Sequence, residues 1–237
     1  MIGYRSKKFF SVTNSEYIIG GVASTYRREA IKQVGFYDHD TTTEDIGLSL
    51  KIVAQGNKQH RIVYAANVLA MTEGVQTFKA LLRQRYRWKL GSLQNLIKHR
   101  GLVANPDRRF TKGLTFYRLP MAFFGELLLL LEPLALGYVL YICYLLGNVE
   151  MLVGAYLTIS LYMLLNVWPD EHMDLGKKLR MTGFVPMMYF VFYIMNAVQL
   201  VAIARCLVNH KQTLGRTRVS SSWISPKRAG AETVQFS

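Results

Sequence analysis

The chain has 237 residues, of which 51% are hydrophobic and 19% charged, and its formal net charge is +14. This length allows one or two domains. Its two cysteines, Cys143 and Cys206, are far apart and lack metal-ligand spacing, which argues against a disulfide framework. No helix-turn-helix, zinc-finger or RNP-like pattern accompanies the basic charge, so we predict no nucleic-acid partner.

The first predicted elements lie on either side of a glycine pair. Residues 17–19 predict a short buried strand. Gly20 and Gly21 follow and predict a tight turn in which the backbone can approach a ligand closely. Residues 27–34 have the pattern of a short helix that ends at Gly35.

Thr43, Glu44 and Asp45 open the next predicted helix, which covers residues 44–56. Acidic residues in a first turn are favoured by the helix dipole, and a threonine before them can cap the helix. The two carboxylates can therefore be helix-start chemistry alone, which is the interpretation that the motif favours by itself. The alternative is that one of them projects into a cleft as a general base, where it must reach the proton it removes.

The segments around this helix complete a predicted α/β layer. Residues 59–65 alternate as a strand does, and residues 68–71 can continue it. A loop then leads into a helix over residues 77–100. The order of strand, helix, strand and helix indicates an α/β layer with functional groups at loops and helix starts. Asp38 and Asp40 could in principle hold a metal, but a solvated loop is the favoured interpretation, and we predict no metal site.

The helix over residues 77–100 carries the sequence Gln-Arg-Tyr-Arg-Trp at residues 84–88. Gln84, Arg87 and Trp88 are spaced i, i+3 and i+4, so they share one helix face. Arginine guanidinium groups bind phosphate oxygens in pairs, and an indole can stack on a sugar ring. This set suits a substrate with phosphates at one end and a sugar at the other. Alone, the motif is more typical of a basic helix with a half-buried tryptophan, and that is the interpretation it favours by itself.

Three apolar blocks follow, over residues 119–147, 151–168 and 184–208. Each is close to the roughly 20 residues that a helix needs to cross the hydrocarbon core, so we predict transmembrane helices. Basic residues 177–180 favour a cytoplasmic link between the last two blocks. Glu126 and Glu132 are costly in lipid and should face protein or a water-filled path, which makes the first block the best candidate for an irregular span.

The order of these motifs resembles a known family. The segment GGVASTYRREAIKQVGFYD, then TED, then QRYRW, then apolar spans, is similar to membrane-embedded family 2 glycosyltransferases that synthesise polysaccharides. This family includes cellulose, hyaluronan, chitin and poly-N-acetylglucosamine synthases. Residues 223–228 (WISPKR) are similar to an ending of the poly-N-acetylglucosamine branch. The resemblance implies the C-terminal half of a GT-A-like domain over residues 1–113, transmembrane or interfacial helices over 114–210, and a basic tail over 211–237.

The resemblance also implies roles for particular residues. Asp45 matches the general base that deprotonates the acceptor hydroxyl. The positions matched to the acceptor side are Thr43, Glu44, Gly20, Gly21 and Trp88. The positions matched to the donor diphosphate are Gln84, Arg85 and Arg87. The implied reaction is an inverting transfer from a UDP-sugar, with N-acetylglucosamine preferred, to a growing glycan at the cell membrane, with the catalytic part in the cytoplasm.

This chain departs from the family pattern in its first part. The nucleotide-binding strands and the DxD motif, which holds Mg²⁺ or Mn²⁺ in the family, do not precede Tyr17. We therefore expect a chain that lacks the donor-binding half, is inactive alone, and pairs with an N-terminal synthase half or an accessory subunit. The alternative is a non-catalytic membrane subunit or channel component derived from such a synthase.

Overall fold

The computed structural model describes residues 2–65, 68, 74–169 and 173–214. In this part of the chain the regular elements are helices. A 3₁₀ turn, Arg100–Leu102, and a π-helical segment, Gly113–Arg118, lie between the fourth and fifth α-helices. The α-helices are α1 (Ile2–Val12), α2 (Arg28–Gln33), α3 (Glu44–Ala54), α4 (Phe78–Lys98), α5 (Leu119–Leu146), α6 (Glu150–Val167), α7 (Leu175–Val208) and α8 (His210–Thr213).

The predicted helix ends are confirmed at two glycines. Gly35, just after α2, has φ +73°, and Gly56, just after α3, has φ +124°. Both values lie in the region that a side chain disfavours, so glycine suits these stop positions. At the beginning of α4, the Thr77 side chain accepts a hydrogen bond from the Ala80 N–H at 3.2 Å, which caps the helix.

The predicted strands at residues 17–19 and 59–65 are wrong, because neither segment forms a strand in the structure. Their backbone groups bond to side chains instead of to a neighbouring strand. The N–H of Ile19 donates to Ser49 Oγ at 3.0 Å, and the N–H of Tyr64 donates to Ser11 Oγ at 2.9 Å. The α/β class is therefore not confirmed. The expected continuation at residues 69–71 lies outside the described residues.

One apolar core joins α3, α4 and the beginning of α5. Residues from both sides of the predicted boundary at 113 contribute to it, so the beginning of α5 packs directly on the motif-bearing helices. The buried members of this core are Tyr17, Leu50, Val53, Ile62, Leu96, Leu102, Phe110, Leu114 and Leu119.

Tyr17 makes this core sensitive to alkaline pH. Burial raises the pKa of Tyr17 from 10.0 to about 12, and the Arg118 guanidinium opposes this rise. Because folding raises this pKa, the buried neutral phenol contributes fully to the free energy of unfolding below pH 10. As the pH rises towards 12, the free energy of unfolding falls by about 2–3 kcal/mol. We expect the thermal unfolding midpoint of the detergent-solubilised chain to fall more steeply from pH 9 to 12 than that of Tyr17→Phe. If the unfolding midpoints of the native chain and of Tyr17→Phe fall in parallel, Tyr17 does not have this role.

The apolar blocks form helices of the predicted kind. Leu128–Leu146 and Glu150–Val167 are each long and apolar enough to cross a membrane. The third block bends by 60° between Leu175–Met188 and Tyr193–Val208, so the described residues give two candidate spans, or three if this bent pair is one. The irregularity that we expected in the first block is therefore found in the third.

Candidate active site on helices α3 and α4

Asp45 lies in the first turn of α3 and faces the glycine turn. Its Oδ1 accepts a hydrogen bond from the N–H of Ile46 at 2.9 Å. Its Oδ2 is 3.3 Å from the position that a Cβ on Gly21 would occupy, whereas a Cβ on Gly20 would meet nothing within 4 Å. The structure thus brings Asp45 and Gly21 together, whereas Gly20 has open space on its side-chain side. Glu44 is exposed, so the two carboxylates of the motif have different surroundings.

Thr43 is clamped onto α4 by side chains that the sequence analysis missed. Asn95 Nδ2 donates to the carbonyl oxygen of Thr43 at 3.1 Å and to its Oγ1 at 3.2 Å. One residue earlier, the N–H and the hydroxyl of Thr42 both donate to Gln94 Oε1 at 2.9 Å. These bonds hold the loop before Asp45 at a fixed place on α4.

Gly91 allows this clamp to close. A Cβ at Gly91 would lie 2.2 Å from Thr43 Oγ1, 2.4 Å from its Cγ2 and 2.7 Å from its Cβ, so no side chain fits there. A glycine inside a helix costs about 1 kcal/mol relative to alanine, and such a residue often has a packing reason. The glycine four residues after Arg87 was thus a signal in the sequence that could have identified the contact.

The same face of α4 carries two of the three predicted donor-binding residues. Gln84, Arg87, Gly91 and Asn95 follow one another at intervals of three or four, so they share a helix face. At 1.5 Å per residue, Arg87 lies about 6 Å along the helix axis from Gly91. The loop that leads into Asp45 is therefore packed within about one turn of Arg87.

Arg85 and Trp88 form a pair on the neighbouring surface of α4. The Arg85 guanidinium carbon lies 4.8 Å from the centre of the Trp88 ring. Trp88 keeps 42% of its surface exposed, so its ring remains accessible to a ligand. Burial lowers the pKa of Arg85. The two side chains come together as one cationic and aromatic surface.

The structure bears on two expectations about the loop before α3, which concern the helix cap at Thr43 and the surroundings of Asp38 and Asp40. Thr43 occupies the N-cap position, but its side chain makes no cap hydrogen bond, because its hydroxyl oxygen accepts from Asn95. Asp38 and Asp40 both accept from Lys98 Nζ at 2.7 Å, and Lys51 Nζ binds Asp38 at the same distance. Hydrogen bonds from Lys51 and Lys98 hold the pKa of Asp38 below its ordinary value.

These two lysines occupy the carboxylates that could have held the divalent cation implied by the family resemblance. Asp38 and Asp40 already have ammonium partners, so this pair does not fit a Mg²⁺ or Mn²⁺ site. Among the residues that the structure describes, no group of three or more histidine, cysteine or acidic side chains is arranged for a metal. We therefore derive no step of the chemistry through a metal held by these residues.

Tyr26 is a further residue near the site that the sequence analysis missed. Burial raises the pKa of Tyr26, and the charge of Asp45 contributes in the same direction. Interactions of its hydroxyl with the side chains of Ser49 and Ser24 oppose this rise. Tyr26 is therefore within electrostatic range of the carboxylate at the start of α3.

Helix α4 also connects this site to the apolar helices α5 and α7. It packs along α7. Lys89, next to Trp88, lies 2.8 Å from both carboxylate oxygens of Glu126 in α5. Asn209, at the end of α7, donates to the Tyr86 hydroxyl oxygen at 3.4 Å. Because residues 86 and 89 contact the apolar helices while residues 91 and 95 contact Thr43, α4 links the two regions.

Comparison with known proteins places this arrangement in a family. Residues 4–202 match the Glycosyl transferase family group 2. A poly-beta-1,6-N-acetyl-D-glucosamine synthase of Staphylococcus aureus (strain COL) is 32% identical over 80 residues, which cover 34% of this chain and 19% of that protein. The same-named protein of Staphylococcus epidermidis is 30% identical over 92 residues, covering 39% of this chain and 22% of that protein.

The alignments thus span about a fifth of the length of these curated relatives. No solved structure matches the chain. The family match extends from α1 through most of α7 and includes the Asp45 loop, α4 and the apolar helices. The chain therefore belongs to the Glycosyl transferase family group 2.

Proposed function

We propose that this chain takes part in an inverting transfer of a sugar from a nucleotide-sugar donor to a growing glycan at the membrane. The observation that carries the proposal is the clamp between Thr43 and α4, because it fixes Asp45 beside the face that bears Arg87. UDP-N-acetylglucosamine is the preferred donor, since the curated relatives are named for a polymer of N-acetylglucosamine.

In this reaction the acceptor hydroxyl attacks the anomeric carbon while the nucleoside diphosphate leaves from the opposite face. Asp45 is the general base that takes the hydroxyl proton. Gly21 keeps the space beside its Oδ2 open for the acceptor. The sugar of the acceptor stacks on the exposed ring of Trp88, and Thr43 and Glu44 complete the acceptor side.

The leaving group requires positive charge on the other side of the bond. Arg87 and Gln84 contact the departing diphosphate, and a guanidinium fixed before the reaction stabilises the charge as it develops. Arg85 supports the indole of Trp88 and adds to the positive potential. The divalent cation of the family, Mg²⁺ or Mn²⁺, is bound outside the described residues in this proposal.

The apolar helices support a site at the lipid surface. We propose that α5, α6 and α7 are embedded in the cell membrane and that the α3–α4 site lies on its cytoplasmic side, where nucleotide sugars are made. The Lys89–Glu126 contact supports this placement, because it joins the site helix to the base of a membrane helix.

The test is sugar incorporation by membranes from cells that produce the protein from its native locus. We expect labelled N-acetylglucosamine to pass from UDP-N-acetylglucosamine into a polymeric glycan, and deletion of the gene to abolish this. A glycan made at the normal rate without the gene contradicts the proposal. A glycan that needs the protein but tolerates loss of Asp45, Arg87 and Trp88 together identifies a non-catalytic membrane subunit or channel component instead.

A further inference from the structure

A cavity on the other side of the core has no part in the proposed transfer. It has a volume of about 480 Å³ and lies between the end of α3 and the π-helical segment before α5. Volumes of roughly 300–1,000 Å³ are typical of ligand pockets. Its lining includes three basic side chains, Lys58, Arg108 and Lys112. Aromatic walls are supplied by Phe110 and Phe116.

The charge around this cavity is unbalanced. None of Lys58, Arg108 and Lys112 makes a side-chain ion pair or hydrogen bond with another described residue. The one acidic residue in the lining, Asp107, is bound by Arg109, whose Nε and Nη2 lie 2.9 Å and 2.8 Å from its Oδ2. The cavity thus presents three uncompensated positive charges beside apolar walls, which suits a ligand with an anionic head and an apolar body.

The position of the cavity relative to the membrane narrows the class of ligand. Helix α5 has 28 residues, so it is about 42 Å long. This matches the ~40–45 Å thickness of a bilayer with its headgroup regions. If α5 crosses the membrane, residues before Leu119 lie at the level of the headgroups. Lys112 and Arg108 belong to this stretch, where lysine and arginine meet anionic lipids.

An exposed apolar stripe runs from the cavity into the candidate span. Five exposed side chains recur at intervals of three or four and therefore share one face. Lys89 holds Glu126 on another side of this helix, so the carboxylate does not interrupt the stripe. A lipid chain can follow this stripe from the cavity into the bilayer. The members of the stripe are Tyr117, Met121, Phe124, Leu128 and Leu131.

We propose that this cavity is a binding site for an anionic phospholipid of the surrounding leaflet. The phosphate of the headgroup lies among Lys58, Arg108 and Lys112, and an acyl chain leaves past Phe116 along the stripe. The site is independent of sugar transfer, so the two proposals can fail separately.

The test measures lipid selectivity of the purified full chain in detergent. Phosphatidylglycerol and phosphatidylcholine with the same acyl chains are titrated, and bound lipid is counted by native mass spectrometry. The test variant is Lys58→Gln/Arg108→Gln/Lys112→Gln. The matched control removes three exposed cations outside the cavity, as Arg28→Gln/Lys32→Gln/Lys79→Gln, and so changes the net charge equally.

We expect the native chain to bind phosphatidylglycerol at least tenfold more tightly than phosphatidylcholine. The test variant should lose this preference, because each cation near the surface contributes roughly fivefold, while the control should change it by less than about threefold. If the triple variant does not fold, Arg108→Gln alone must reduce the preference about fivefold. An equal loss in the control, an unchanged preference, or displacement of the lipid by inorganic phosphate would overturn the proposal.

Discussion

Asp45→Asn is expected to reduce sugar transfer by about 10²–10⁴-fold, the usual contribution of a positioned general base. Asparagine has nearly the same shape and its side-chain oxygen still accepts from the Ile46 N–H, so the start of α3 should keep its structure. It cannot take a proton from the acceptor hydroxyl. The measurement is incorporation of labelled sugar by membranes in which the variant is produced at its normal level from the native locus.

The matched control is Glu29→Gln, which removes an exposed carboxylate in the first turn of α2. It changes the net charge by the same amount and should leave the transfer rate within about twofold, as expected for an exposed position. An active Asp45→Asn protein would show that the carboxylate only starts the helix, which is the interpretation that the motif alone favours.

Gly91→Ala is expected to lower both stability and transfer. The added methyl carbon would lie 2.2 Å from Thr43 Oγ1, so α3 and α4 must separate by more than an ångström at this point. Overpacking of this kind costs about 1–3 kcal/mol. The loop before Asp45 moves with Thr43, so the transfer rate should fall by at least tenfold even in protein that remains folded. The two readouts are the thermal unfolding midpoint and sugar incorporation.

Gly125→Ala is the control for helix propensity, because a Cβ there would meet nothing within 4 Å. Its unfolding midpoint should be unchanged or higher. A second check uses Thr43→Gly, which removes all three atoms that the new methyl group would strike. The stability cost of Gly91→Ala should be smaller in that background, as a double-mutant cycle measures. An equal cost in both backgrounds would show that the loss of stability in Gly91→Ala does not come from contact with the Thr43 side chain.

Local patterns predicted the helices well because the signals were local. Gly35 and Gly56 ended α2 and α3 where expected, and the apolar blocks formed long helices. The start of α7 was missed, since Leu175 precedes its apolar block and polar residues form its first turns. There Asp174 caps the helix by accepting a hydrogen bond from the Lys177 N–H at 3.3 Å. The hydrophobic pattern does not indicate such a contact.

The strands were mispredicted because sheet formation depends on partners that a single segment does not show. Residues 17–19 are apolar enough for a strand, yet Glu16 accepts from the backbone N–H groups of Tyr17 and Ile18 at 3.0 and 3.3 Å. Serine and glutamate side chains thus replace the ladder hydrogen bonds. The clamp of Gln94 and Asn95 on the Asp45 loop was missed for the same reason, since it joins residues 52 positions apart.

The two acidic residues of α5 have partners in other helices. Glu126 binds Lys89 of α4 at 2.8 Å, and Glu132 accepts a hydrogen bond from Asn196 of α7. The sequence left open whether these carboxylates face protein or a water-filled path. Both contacts stabilise packing between helices, as expected for carboxylates that face protein in preference to lipid.

The central claim is that Asp45 and Arg87 act on one substrate from opposite sides. The most direct measurement is a structure of the native protein in lipid, with an uncleavable nucleotide-sugar analogue and a glycan acceptor bound. We predict the Asp45 carboxylate within about 3.2 Å of the acceptor hydroxyl, with Arg87 on the diphosphate and Trp88 against the acceptor ring. A structure in which the substrates bind away from Asp45, with its carboxylate and the Arg87 guanidinium on separate surfaces, would contradict the account.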